Sequence, residues 1–168
     1  SRNALRSKGG VKTLVEACRD NLHLRFLDLS HNQLDDARVF QVAELLDHPR
    51  VAACPLMALN LSNNGFHARG MWELGGALVS GNNTTLRRLD VSGNNLGAEG
   101  GEALGTLLKL SYSLEDLVAS NCNLGDAGVT DLCRGLARPE TGTVLRYLDV
   151  AWNVLHDEAA AALAELLE

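Results

Sequence analysis

Apolar positions along this chain follow two alternating rhythms. Short blocks space leucines three and then two residues apart around polar neighbours, as in Leu24-Arg25-Phe26-Leu27-Asp28-Leu29. Alternation with a period of two predicts a brief, half-buried strand. The segments after these blocks carry apolar residues at steps of three and four. They are Val39, Ala43, Leu45 and Leu46; Met71, Leu74, Ala77 and Leu78; Leu104, Leu107 and Leu108; Val129, Leu132 and Leu136; and Ala160, Leu163, Leu166 and Leu167. That spacing predicts a helix with one apolar stripe.

Strand and helix together form a unit that recurs. The pattern Leu-x-x-Leu-x-Leu-x-x-Asn/Cys-x-Leu fits five stretches, with Phe, Val or Ala in place of some leucines. Its polar rung falls at Asn32, Asn64, Asn94, Cys122 and Asn153, at intervals of 28 to 32 residues. Asn3 and Leu5 read as the tail of a further, truncated copy. The predicted organisation is one domain over 1–168, with a partial repeat near 1–23 and full repeats at 24–55, 56–85, 86–113, 114–144 and 145–168. With bare repeat edges at both termini, the chain is expected to be part of a longer protein, beside more repeats or another domain.

Such a periodic chain folds by stacking its units. Each strand must turn away after a few residues, which strands backbone groups in the interior. Asn carries both a donor and an acceptor and can satisfy them. A ladder of Asn32, Asn64, Asn94, Cys122 and Asn153 through the stack is therefore expected, with Cys122 as a weak donor of smaller volume. Asp35, Asp126 and Asp157 are expected to cap the helices they precede. Pro49, Pro55 and Pro139 fall between helix and strand. Trp72, beside Met71, is expected to pack between helices.

Repeats of this length, with full helices and the Asn/Cys alternation, resemble the leucine-rich-repeat family of the ribonuclease-inhibitor type. That type also occurs in NOD-like receptors and in the GTPase-activating protein for Ran. The resemblance implies an α/β fold, a right-handed horseshoe arc with a parallel sheet on its concave side and helices on its convex side. It implies a non-catalytic protein-binding scaffold, or alternatively a regulator of a small GTPase.

On the concave face, alternation brings out the residues between the inward leucines. One row is Phe26, Ala58, Arg88, Asp116 and Tyr147; the next is Asp28, Asn60, Asp90, Val118 and Asp149; a third is Ser30, Ser62, Ser92, Ser120 and Ala151. Trp152 stands at the fifth turn, where His31, Asn63, Gly93 and Asn121 stand in the others. The candidate binding residues are Phe26, Asp28, Arg88, Asp90, Asp116, Tyr147, Asp149 and Trp152, since exposed aromatics anchor interfaces and a row of carboxylates attracts a basic partner.

Composition narrows the remaining classes. Aromatic residues make up only 4% of the chain and apolar ones 46%, so the core is built from Leu, Val and Ala. A net charge of −6 gives nucleic acid no electrostatic support. No apolar run is long enough to span a membrane. Cys18, Cys54, Cys122 and Cys133 show no CxxC pair, which predicts reduced thiols and a cytoplasmic setting. The histidines are scattered, and Asp47, His48 and Cys54 are the nearest approach to a metal-ligand set. No cofactor motif and no catalytic constellation is present. Asn82 and Asn83 each begin a glycosylation pattern, a weak signal.

Overall fold

A computed structural model describes residues 8–19, 21–46, 55–80, 83–137 and 144–167. It opens with helix α1 (Lys8–Arg19). Strands and helices then alternate: β1 (Phe26–Asp28), α2 (Asp36–Leu46), β2 (Ala58–Asn60), α3 (Ala68–Ser80), β3 (Arg88–Asp90), α4 (Gly97–Leu110), β4 (Asp116–Val118), α5 (Gly125–Leu136), β5 (Tyr147–Asp149) and α6 (Asp157–Leu167). The strands form one parallel sheet in chain order, β1-β2-β3-β4-β5. This is the α/β leucine-rich-repeat solenoid. Its rungs pair in the same register throughout, with Leu27, Leu59, Leu89, Leu117 and Leu148 side by side.

Among the described residues each helix packs on its neighbours in sequence, and each strand pairs with the next. Helices need roughly 8–10 Å between axes and strands about 4.8 Å, so the stack bends toward the sheet, which becomes the concave side. Between the layers lies one leucine-rich core. Phe66 holds a place that leucine takes in the other copies and is fully buried.

Backbone pairing continues past each strand into the turn. The N–H groups of His31, Asn63, Gly93 and Asn121 donate to Ser62, Ser92, Ser120 and Ala151 oxygens of the next unit at 2.7–3.0 Å. All four residues have positive φ, between 52° and 67°. Asn and Gly tolerate this left-handed geometry best.

Helix starts differ from the expectation in an instructive way. Asp35 does cap α2, accepting from Arg38 N–H at 3.1 Å. Asp126 and Asp157, however, lie inside the first turns of α5 and α6. Asp126 reaches across to the next helix, where its Oδ1 accepts from His156 N–H at 2.7 Å and Ala159 N–H at 3.4 Å. Asp36 does the same for α3, accepting from His67 N–H at 2.7 Å and Gly70 N–H at 3.0 Å. A first-turn carboxylate thus closes the helix of the following repeat, a cross-repeat role that intra-helical capping rules do not anticipate.

Between α4 and α5 the seam is built from glycine instead. A Cβ on Gly101 would lie 2.4 Å from Gly128 Cα, and one on Gly135 would lie 2.0 Å from the Gly105 oxygen. The two helices meet backbone to backbone, as only glycine allows. Trp72 does not fill a helix seam as expected; it is 40% exposed on α3. Pro55 lies between α2 and β2, while Pro49, Pro139 and Cys54 lie outside the described residues.

Candidate protein-binding face

The rung residues tie each unit to the one before it. Asn64 Oδ1 accepts from Asn32 N–H and Leu34 N–H at 2.9 and 3.1 Å, while its Nδ2 donates to Leu29 and Leu61 oxygens at 3.1 and 2.8 Å. Asn94 accepts from Asn64 N–H at 3.0 Å and donates to Leu61 and Val91 oxygens at 3.1 and 2.7 Å. Asn153 accepts from Cys122 N–H and Leu124 N–H at 2.9 and 3.1 Å and donates to Ala119 and Val150 oxygens at 2.8 and 2.9 Å. Cys122 Sγ donates to Val91 oxygen at 3.3 Å. Asn32 Nδ2 donates to Ser30 oxygen at 2.9 Å. These groups hold the sheet rigid beneath the face; burial pushes the Cys122 thiol up to about 11, far from a reactive thiolate.

The sheet register brings the predicted face residues together. Phe26, Ala58, Arg88, Asp116 and Tyr147 are consecutive partners across the five strands. Phe26 is 72% exposed and Tyr147 51%. Val118 is nearly buried and interrupts the second row.

Asp28, Asp90 and Asp149 have a local task that alternation along the strand does not reveal. Each accepts the backbone N–H two residues on, from Ser30, Ser92 and Ala151, at 2.8–3.0 Å. Asn60 does the same for Ser62 at 2.9 Å. Since a neutral Asn serves equally, the turn needs the oxygen and not the charge. The hydroxyl and N–H of Ser30 hold the Asp28 carboxyl below the usual carboxylate range, so it stays ionised at neutral pH.

Arginines collect at the opposite edge of the face. Arg25, Arg87 and Arg146 immediately precede the strands, and Arg88 begins β3. Glu115 bridges Arg87 and Arg146 at 3.4 and 3.7 Å, and Asp116 lies 3.6 Å from Arg88. The arginine end is thus a mixed edge, with Glu115 and Asp116 set among the guanidiniums, while Asp28, Asp90 and Asp149 stand at the other end of the strands. Its signal in the sequence is the residue just before the strand, which is Arg in the first, third and fifth repeats and Met57 and Glu115 in the others.

The fifth repeat departs from the rest. Trp152 occupies the left-handed position filled elsewhere by His, Asn or Gly, at φ 59°, and is 84% exposed. Two residues on, Val154 is also left-handed, at φ 54°, and 68% exposed. A β-branched residue in that region is a marked outlier, and the pair carries strain with no burial in return. Val154 was not anticipated; its signal is a valine where the first and fourth repeats place Gln33 and Asn123 in the same conformation.

Other chemistry does not gather here. Among the described residues no group of His, Cys, Asp and Glu is arranged to hold a metal ion, and no helix is long and apolar enough to cross a membrane. Asp47, His48 and Cys54 lie outside those residues. Cys18, Cys122 and Cys133 are buried free thiols. Asn83 spends its side-chain oxygen on Thr85 N–H and Leu86 N–H at 3.2 and 2.9 Å, a structural use of one glycosylation-pattern asparagine.

Comparisons with known proteins agree with this geometry. The family described as Leucine Rich repeat matches residues 20–37, 82–105 and 143–164. Ribonuclease inhibitor of Sus scrofa is 33% identical over 92% of this chain and 32% of its own length. NACHT, LRR and PYD domains-containing protein 5 of Homo sapiens is 34% identical over 86% of this chain and 11% of its own. The chain thus spans a third or less of these curated relatives. Among solved structures, the tropomodulin C-terminal domain of Caenorhabditis elegans superposes with a TM-score of 0.65 at 20% identity, covering 94% of this chain and 90% of that one.

Proposed function

The chain belongs to the leucine-rich-repeat family, in its ribonuclease-inhibitor type, and from that premise we propose that it is a non-catalytic scaffold whose concave face grips a protein partner. The anchor is the fifth repeat. One observation carries this reading: Trp152 and Val154 stand exposed in left-handed turn positions that Asn or Gly fills at lower energy. Strain that the fold itself does not use is a mark of a binding residue. Tyr147, exposed in the adjoining strand, is the second aromatic of this repeat, and Asp149 lies between the two along the chain. Trp and Tyr in such settings supply most of an interface's affinity.

The partner in this reading presents basic groups to Asp28, Asp90 and Asp149. The acidic net charge disfavours nucleic acid. Buried free thiols fit a reducing, cytoplasmic setting. Regulation of a small GTPase remains an analogy of fold, and no residue of the face favours it.

Cross-linking capture from cell extract, with the wild type beside Trp152→Ala with Tyr147→Ala, tests the proposal. Binding should fall about tenfold or more, as loss of a hot spot does. Capture unchanged by that double substitution would move the interface to another surface.

A further inference from the structure

The second rung carries a reactive pair that the other rungs lack. Asn64 is followed by Gly65, the single Asn-Gly step in the chain. The other rungs are Asn32-Gln33, Asn94-Asn95, Cys122-Asn123 and Asn153-Val154. We propose that Asn64 is a deamidation site that the folded ladder holds closed, so that opening of this rung becomes chemically irreversible.

The reaction needs no reagent but water. The Gly65 backbone nitrogen attacks the Asn64 side-chain carbonyl carbon. Its proton passes to the side-chain nitrogen, which leaves as ammonia, and a five-membered imide remains. Water then opens one of the two imide C–N bonds. The products are aspartate at position 64, or isoaspartate, whose main chain runs through the former side chain. Glycine favours the attack because it has no Cβ to shield its nitrogen or to limit the backbone angles.

In the fold both reacting groups are occupied. Gly65 N–H donates to the Leu34 oxygen at 2.9 Å. Asn64 Nδ2 donates to the Leu29, Leu61 and Ser62 oxygens at 3.1, 2.8 and 3.3 Å, and its Oδ1 accepts from Asn32 N–H and Leu34 N–H. These bonds must break before the side chain can turn onto Gly65. The same set of bonds decides the fate of the product. A carboxylate has no N–H to donate, so it sets a second, charged oxygen against three carbonyl oxygens. Asn64 is half-buried where the other four rungs are buried, which leaves it the rung most open to water.

The fold does not itself require this glycine. Among the described residues a Cβ on Gly65 would meet only the Leu34 oxygen, at 3.9 Å, and the φ of Gly65 is not positive. Gly65→Ala is therefore a control that should fold at least as stably as the wild type.

The test follows Asn64 by peptide mass mapping in mildly alkaline buffer, with and without guanidinium chloride above the unfolding midpoint. Amide loss at Asn64 should be about tenfold or more faster in the unfolded chain, where the rung is always open. Gly65→Ala should slow that loss in the unfolded chain. After removal of denaturant, the fraction regaining the native melting temperature should fall in step with amide loss in the wild type and hold in Gly65→Ala. Asn64→Asp, made directly, should melt at lower urea than the wild type or fail to fold. Equal rates of amide loss with and without denaturant overturn the proposal. So does a deamidated chain, or Asn64→Asp, that melts like the wild type.

Discussion

The junction between the third and fourth repeats and the turn of the fifth repeat spend their residues in opposite ways. At the junction every choice draws the units together. The ladder rung is Cys122 instead of Asn, and the interval from Asn94 is 28 residues, the shortest in the chain. Helices α4 and α5 touch through Gly101, Gly105, Gly128 and Gly135. Even the turn uses Gly93 at its left-handed position. At the fifth turn Trp152 and Val154 occupy such positions and face solvent. Residues at the junction are explained by the fold's own stability. The exposed pair at the turn lowers that stability and needs another reason, which is what a binding surface supplies.

The largest effect should come from the junction. Gly135→Ala places a methyl 2.0 Å from the Gly105 oxygen and 2.6 Å from its Cα, with backbone on both sides. Neither helix can yield without losing its own packing. The expected loss is about 3 kcal/mol, the upper end for overpacked sites, read as an earlier midpoint in a urea melt. Gly76→Ala is the matched control, because its methyl would meet nothing within 4 Å. That substitution should stabilise by about 0.5–1 kcal/mol through helix propensity alone. Equal responses from the two glycines would break the contrast.

Next comes the ladder. Asn94→Ala leaves the Asn64 N–H without its acceptor and takes one of two side-chain donors from each of the Leu61 and Val91 oxygens, in a buried setting. A cost of about 2–3 kcal/mol follows. Cys122→Ala removes only a weak sulfur donor to Val91 oxygen and should cost about 1 kcal/mol. If Cys122→Ala matched Asn94→Ala, the compact junction would depend on sulfur chemistry more than on close approach. In the same folded samples Cys122 should resist alkylation at neutral pH, its thiol being raised to about 11.

Sequence and structure divide the explanation unevenly. The leucine period made the strand–helix unit legible, because it reflects burial within one repeat, and the Asn/Cys rung made the ladder through the stack legible, because a buried turn needs both a donor and an acceptor. Other interactions between repeats were not legible in the same way. Asp126 reads locally as a cap for α5, yet its carboxylate serves α6. The glycines of "GNNLGAEGG" read as turn and helix-start residues, and Gly93 and Gly97 are so used, with positive φ. Gly101 instead carries the helix seam, a role visible only once Gly128 lies against it. On the face, the rows followed from alternation, but that Asp28, Asp90 and Asp149 close turns did not. Cross-unit distance is the missing quantity for the cap and the seam, and local turn geometry for the face.

A smaller effect joins the junction to the fifth repeat. Bonds from His156 hold the Asp126 carboxyl below its ordinary value. A carboxyl with a depressed folded pKa adds stability above its unfolded value, near 3.9, and that stability is lost as pH falls through the folded one. The wild type should therefore lose more of its melting temperature between pH 5 and pH 3 than Asp126→Asn does, about those two values. Parallel acid curves for the two proteins would show that the cap does not hold α6 in place. Asp36→Ala should lower stability by about 1 kcal/mol at neutral pH through loss of the matching cap on α3.

The smallest change has the opposite sign and bears most directly on function. Asn63 and Asn121 occupy the same turn position as Trp152, with φ of 52° against 59°. Trp152→Asn therefore puts a side chain already accepted at two sister sites into a place where tryptophan is strained. Trp152 is almost wholly exposed, so little packing is lost in exchange. The substitution should raise stability by about 0.5–1 kcal/mol, seen as a higher melting temperature of the protein alone. Val154→Asn, which copies Asn123 of the fourth repeat, should add a similar amount. Partner capture should fall in the same variants, because the groups that strain the turn are those that meet the partner. A lower melting temperature in Trp152→Asn would mean that the indole supports the fold after all. The fifth turn would then resemble the other four, and the patch would lose its claim as the anchor.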